Sequence, residues 1–147
     1  MHLAVDLGLP LVTVIDTPGA ELSAAAEEGG LAGEIARCTA ELISAPVPTV
    51  SLLLGQGSGG AALALFPADR RLAVADGWLA PLPPEGASLI VHRDTAHAAQ
   101  EAAAQHITAA ELARYGQFDE VLPPAADLDQ VWAAVVRALE VRPHFRG

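Results

Sequence analysis

A chain of 147 residues, 52% of them hydrophobic and with a mean hydropathy of +0.35, is one domain's worth of sequence and too apolar to remain disordered. Its 18 acidic and 8 basic residues leave a formal net charge of −10, and every basic residue is arginine. No basic stripe is available to neutralise phosphates, which argues against nucleic acid, and without lysine neither Schiff-base chemistry nor a Walker A loop can be built.

The opening Met1-His2-Leu3-Ala4-Val5-Asp6 lacks the basic start of a secretory signal. No apolar run approaches the ~18 residues of a membrane-spanning helix. Leu11-Val12-Thr13-Val14-Ile15 reads as a buried strand closed by the turn Asp16-Thr17-Pro18-Gly19, followed by a small-residue stretch from Ala20 to Gly30. From Leu31 the positions Ile35, Cys38, Leu42 and Ile43 recur at helical spacing as far as Pro46. A lone Cys38 closes no internal disulfide, so the chain is expected in the cytoplasm, with Cys38 a small core residue.

Thr49 to Leu54 is a second buried strand, running into Gly55-Gln56-Gly57-Ser58-Gly59-Gly60, and Ala61 to Phe66 makes a short helix stopped by Pro67. Arg71 to Ala75 is a third strand, with Trp78-Leu79-Ala80 after the Asp76-Gly77 turn. Pro84-Glu85-Gly86 opens a helix reaching His92, and Thr95 to Gln105 is Ala-rich and helix-favouring. Thr108-Ala109-Ala110-Glu111 is a capping box, with Gly116 where a left-handed C-cap belongs. Glu120-Val121-Leu122 is a brief strand, and Leu128 to Leu139 a last amphipathic helix presenting Leu128, Val131, Trp132, Val135 and Leu139 on one face. Alternating strands and helices predict an α/β fold with largely parallel pairing.

Gly55 to Gly60 satisfies G-x-G-x-x-G, and Asp76 lies near the distance of a ribose-binding acid. Only six residues separate Gly60 from Pro67, however, too few for a dinucleotide-binding crossover helix. The same glycines suit an oxyanion hole, because the first amides of a helix are unpaired and no side chain at Gly59, Gly60 or Ala61 obstructs them. They equally suit a tight turn with close helix packing, and spacing alone leaves both uses open. A loop presenting the Gly19 and Ala20 amides beside this cluster completes the candidate set. The Asp16-Thr17-Pro18-Gly19 turn also has the D-x-x-G form of a GTPase, defeated here by the lack of lysine.

Ser58 does not sit in the G-x-S-x-G elbow of a hydrolase. His92, His97 and His106 read as exposed helical histidines without a fixed acid partner; the five-residue step from His92 to His97 points them to different helix faces, so no metal site is expected. Glu27-Glu28 reads as a solvated turn and Glu85 as helix initiation. The candidate site is therefore mainly backbone.

Asp16-Thr17-Pro18-Gly19-Ala20, Ala26-Glu27-Glu28-Gly29, Gly57-Ser58-Gly59-Gly60-Ala61 and Pro84-Glu85-Gly86-Ala87-Ser88 occur in an order and spacing that resembles the α-subunit half of acetyl-CoA carboxylase carboxyltransferase. Glu34-Ile35-Ala36-Arg37 and the segments Ile107-Thr108-Ala109 and Asp119-Glu120-Val121 fit the same pattern, which covers the chain from about Leu9 to Pro123. The resemblance implies the crotonase fold, a superhelix of ββα units. Residues 1–147 would be a single domain forming the C-terminal portion of a carboxyltransferase domain, with its N-terminal layer missing and a C-terminal helix and tail over 125–147. A missing layer would expose an apolar face and favour an oligomer.

For function, the resemblance implies the biotin-side half of an enzyme that moves a carboxyl group from carboxybiotin to an acyl-CoA, giving malonyl-CoA from acetyl-CoA. Gly59, Gly60 and Ala61 would hold the ureido oxygen, while Gly19, Ala20, Gly57 and Ser58 would line the biotin pocket. Carboxybiotin on a carrier protein is then the substrate, with no metal or nucleotide bound by this chain. The implied partners are the acyl-CoA-binding half, biotin carboxyl carrier protein and biotin carboxylase. Two departures matter: family members carry further structure before the Leu11 strand, and Phe66-Pro67-Ala68-Asp69-Arg70-Arg71 is bulky for the segment after the oxyanion helix. The alternatives are a non-catalytic structural or carrier-docking remnant, and an acyl-CoA decarboxylase or hydratase on the same fold.

Overall fold

The computed structural model describes residues 1–21 and 23–141; the expected tail lies outside them from residue 142 onward. The elements in chain order are α1 (His2–Leu7), β1 (Leu11–Thr17), α2 (Ala24–Glu28), α3 (Leu31–Ser44), β2 (Thr49–Ser58), α4 (Gly59–Ala64), β3 (Arg70–Val74), β4 (Trp78–Ala80), α5 (Pro84–His92), α6 (Ala98–Gln105), α7 (Ala109–Arg114), β5 (Glu120–Leu122) and α8 (Leu128–Glu140). All strand pairings are parallel, in the order β1-β2-β3-β5, with β4 joining β2 beyond the end of β3. The α/β class with parallel pairing is as expected. Among the described residues no helix is long and apolar enough to cross a membrane.

β2 is the spine of this sheet. Its first half pairs with β1 on one edge and β3 on the other, and Gln56–Ser58 pair with β4. Both faces of its first half are covered, so Thr49–Leu53 are buried in unbroken succession in place of alternation. On one face Ile15, Leu53, Ala73 and Leu79 pack with Ala62 of α4, Ala109 of α7 and Phe118. On the other, Val50, Leu52, Leu72 and Leu122 meet Ala134, Val135 and Ala138 of α8. α3 forms an outer layer over α4.

Several expectations need correction. β2 does not end at Leu54; it continues through Ser58, because Gln56-Gly57-Ser58 still find partners, in β4 and, at Gly57, in β1. At Gly57 a Cβ would lie 2.7 Å from Leu79 Cδ1 and 3.1 Å from Leu53 Cδ1, so the glycine is there for packing. A dinucleotide loop therefore does not exist: of the residues that would form it, Gly55–Ser58 are strand and Gly59 and Gly60 already belong to α4. The face of α8 is also rotated from the expected one. Val131, Val135 and Leu139 pack on the sheet as expected, but they are joined by the small residues Ala134 and Ala138, leaving Leu128 81% and Trp132 66% exposed. Small side chains permit the closer contact, which outweighs burying the larger pair.

α1 and α2 were not expected as helices. α2 is started by Ser23, whose Oγ accepts from the Ala26 amide at 3.1 Å, and α1 buries none of its residues. α6 begins at Ala98, not Thr95. The α7 capping box forms as predicted, and Gly116 takes φ +72°. Cys38 is only half-buried, its Sγ lying 3.7 Å from the Ala64 carbonyl. β1 is an edge strand whose Val12 and Val14 are exposed.

Gly57→Ala is expected to cost about 1–3 kcal/mol by overpacking, read as a lower urea midpoint. Trp132→Ala, at an exposed position, should change stability by less than about 0.5 kcal/mol.

Candidate functional site

The carboxyl ends of β1 and β2 lie side by side, with Thr17 opposite Gly57 in the register. Between Ile15 and Thr17 the register shifts, and the Asp16 carboxylate turns across to accept from the Gln56 amide at 3.1 Å. Gly55 makes room for it: a Cβ there would stand 2.7 Å from Asp16 Oδ1. Asp16 is thus a tie between strands. Beyond the bulge, Thr17 Oγ1 accepts from the Gly19 amide at 3.2 Å and holds the turn.

That turn lays Gly19, at φ +117°, over Ser58. The position of a Gly19 Cβ is 3.4 Å from the Ser58 carbonyl oxygen and 3.6 Å from its Oγ. The Gly19 turn and the end of β2, far apart in sequence, are thus brought together, as the candidate set proposed. Ser58 ends β2 with extended backbone, and Gly59, at φ +73°, turns the chain directly into α4. Only glycine takes that φ without strain.

α4 begins without a side-chain cap and without an acidic residue in its first turn. Its leading amides have no intrahelical partner and are aimed outward past Gly59, Gly60 and Ala61. The surface at Gly60 is exposed and that at Gly59 and Ala61 half-exposed. A Cβ on Gly59 would meet nothing within 4 Å, whereas one on Gly60 would come 3.3 Å from Ile35 Cδ1. Of the two uses left open by spacing, Gly57 serves packing, Gly59 serves the turn, and Gly60 serves both helix packing and an open ledge. Ile35 at the back of that ledge was not anticipated; its place in the helical period of α3 marks it only as core-facing.

Ser58 is 1% exposed, and its Oγ finds no hydrogen-bond partner among the described residues. No histidine serves it, so a serine nucleophile is not assembled. Each of the three histidines instead has a carboxylate: His92 Nε2 lies 3.0 Å from Glu101 Oε1, His97 Nδ1 2.9 Å from Asp94 Oδ1, and His106 Nδ1 2.9 Å from Glu111 Oε1. This corrects the expectation that they lack acid partners. His92 and His97 do not diverge either. The helix breaks at Arg93, φ +63°, and the two rings stack at 4.2 Å between centroids. Among the described residues no group of three or more His, Cys, Asp or Glu side chains is placed to hold a metal ion.

The His97 ring holds the Asp94 carboxyl below its ordinary range. The Thr108 hydroxyl, and after it His106, do the same for Glu111. A carboxyl lowered on folding contributes stability above its unfolded pKa and loses it as pH falls through the folded one. A cleft of about 190 Å³ lined by Met1, Val5, Leu11, Glu41 and Pro46 lies at the opposite, amino end of β1 and includes none of the glycines.

The family model of acetyl co-enzyme A carboxylase carboxyltransferase-like proteins matches residues 1–139. The chain is 65% identical over 127 residues to a probable biotin-dependent acyl-coenzyme A carboxylase beta3 subunit of Mycobacterium tuberculosis, covering 86% of this chain and 26% of that one. It is 39% identical over 138 residues to the acetyl-coenzyme A carboxylase carboxyl transferase subunit alpha of Rubrobacter xylanophilus, covering 93% and 43% respectively. It therefore spans about a quarter to under half of these relatives. In structure it is similar to the transcarboxylase 12S hexamer, with a TM-score of 0.79 and 26% identity over 98% of this chain and 31% of that one.

Asp94→Asn should lower the urea midpoint at neutral pH, and the difference from wild type should shrink as pH falls through the lowered folded pKa of the carboxyl; a larger loss in acid would contradict the assignment. The parallel sheet, its glycine-headed helix and these likenesses together place the chain in the acetyl-CoA carboxylase carboxyltransferase family, with the crotonase-like fold of its structural neighbours.

Proposed function

We propose that this chain is the carboxybiotin-facing part of a biotin-dependent acyl-CoA carboxyltransferase, completed by an acyl-CoA-binding half. The observation that carries the reading is the uncapped, acid-free start of α4, set beside the Gly19 turn at the carboxyl ends of β1 and β2. In parallel α/β sheets that end is where ligands bind.

The residues suit the substrate. When carboxybiotin gives up its carboxyl group, negative charge develops on the ureido oxygen, and the freed nitrogen takes a proton from the acyl α-carbon. The amides of Gly60 and Ala61, with Gly59 keeping the approach clear, donate to that oxygen. No acidic side chain in the first turn of α4 competes with the developing charge. Preorganised amide donors strengthen as charge grows and need no reorganisation, so one donor is worth roughly 10²–10³ in rate. Gly19 and Ala20 wall the ledge, and Ser58 supports it from beneath. The scheme asks for no side-chain base, in keeping with histidines already committed to carboxylates.

With acetyl-CoA as acceptor the product is malonyl-CoA. Biotin carboxyl carrier protein presents the substrate, and biotin carboxylase recharges it. The non-catalytic remnant reading makes the opposite prediction in the same assay.

Full-length chain mixed with an acyl-CoA-binding carboxyltransferase subunit, carboxylated carrier and acetyl-CoA is expected to form malonyl-CoA. Gly60→Pro removes one donor in the first helical turn, where proline is tolerated. It should cut transfer by roughly 10²–10³, well beyond Gly60→Ala, which adds the same Cβ beside Ile35 and keeps the amide. Unchanged transfer would remove Gly60 from the site, and no transfer under any pairing would favour the remnant.

A further inference from the structure

Ser58 carries a hydroxyl for which the fold itself has no use. The residue is 1% exposed, and its Oγ has no hydrogen-bond partner among the described residues. Ser58 is the N-cap of α4, a place where serine is favoured because its oxygen accepts from the second or third amide of the helix. That bond is not made: Ser58 is extended, at φ −116° and ψ 138°, and the left-handed Gly59 intervenes. An alanine would fill the same space without leaving a desolvated hydroxyl unpaired, which is destabilising.

The turn after β1 lies over this hydroxyl. A Cβ on Gly19 would be 3.6 Å from Ser58 Oγ and 3.4 Å from the Ser58 carbonyl oxygen, so bare glycine backbone forms the cover. The cover is lightly held. Among the described residues Gly19 is hydrogen-bonded only to the Thr17 hydroxyl, which accepts from its amide at 3.2 Å and donates to its carbonyl at 3.4 Å. Pro18 has no amide to add, and Gly19 sits at φ +117°, where glycine alone moves freely between conformations. The floor is firm by contrast. Ser58 pairs with Ala80 of β4, and Gly57 beside it pairs with Leu79 and with Thr17. Thr17 is therefore fixed to the sheet, and only the turn beyond it is free to swing.

We propose that the Gly19 turn is a cover latched by Thr17, and that when it lifts the Ser58 hydroxyl binds the urea group of the biotin ring. This rests on the carboxyltransferase reading and gives that site a side-chain contact and a moving part beyond its backbone amides. A hydroxyl both donates and accepts, so it answers a cyclic urea, which offers a carbonyl oxygen and an N–H. On a ledge otherwise made of glycine, alanine and Ile35, one placed polar group fixes the orientation of the ring. A hydroxyl unpaired in the free protein gives up no bond of its own when the ligand arrives.

Ser51 supplies the comparison. It too is 1% exposed, with an Oγ that lacks a partner among the described residues, but it sits mid-strand between Thr13 of β1 and Arg71 of β3, away from the turn.

The test is a titration of the full chain with biocytin, followed by amide chemical shifts. Wild type should saturate, and Ser58→Ala should bind roughly tenfold more weakly while melting at or above the wild-type temperature. Ser51→Ala should bind as wild type. Equal binding by Ser58→Ala, equal weakening by Ser51→Ala, or a lowered melting temperature of Ser58→Ala, which would give the hydroxyl a structural partner, each overturns the proposal. Thiol labelling reads the cover without ligand. In a Cys38→Ser background, Ser58→Cys should react slowly with a small thiol reagent, and roughly tenfold faster once Thr17→Val removes the latch; equal rates would sink the cover. A wild-type chain that binds no biocytin sinks the biotin site of the carboxyltransferase reading and this refinement together, whereas wild-type binding that survives Ser58→Ala sinks the refinement alone.

Discussion

The ten-residue strand β2 is the constraint on which the rest of the structure depends. It is paired on both edges and covered on both faces, and its last three residues keep their ladder with β4 after β3 has ended. Because it runs to Ser58, α4 starts abruptly, through one left-handed glycine, and Ser58 at its N-cap makes no side-chain cap hydrogen bond. A gradual loop would have let local side chains satisfy the first amides.

The same strand organises what surrounds that junction. Gly57 allows Leu79, Leu53 and Ile15 to close beneath the site, and Gly55 allows Asp16 to tie β1 to β2 at the bulge. The bulge in turn aims the Thr17–Gly19 turn at Ser58. Four glycines in one short stretch therefore divide the labour: two permit close packing, one turns the chain, and one keeps a ledge open in front of Ile35. Packing and exposure are divided within one segment: a Cβ at Gly57 would strike Leu79 and Leu53, while one at Gly59 would meet open space.

Much of this was legible in the sequence. Apolar runs bounded by turn residues located all five strands, and the Thr108–Glu111 box and Gly116 were read correctly because capping is a local interaction. The Gly19 turn was placed beside the second glycine cluster as a candidate, and the structure brings Gly19 against Ser58. What was not legible depends on tertiary partners. Gly55-Gln56-Gly57 has the composition of a loop and becomes strand only because β1 and β4 offer pairing. The buried face of α8 follows contact distance, which favours Ala134 and Ala138, while a hydrophobicity pattern favours Leu128 and Trp132. The stacking of His92 on His97 requires the break at Arg93, which no glycine or proline announces.

The central claim is that the first amides of α4 receive the ureido oxygen of biotin. Amide chemical shifts of the labelled chain, followed during titration with biocytin, test it most directly. The account predicts saturable shifts concentrated at Gly59, Gly60 and Ala61, with smaller ones at Gly19 and Ala20. Shifts absent there, or centred instead on the cleft beside Met1 and Glu41, would contradict it.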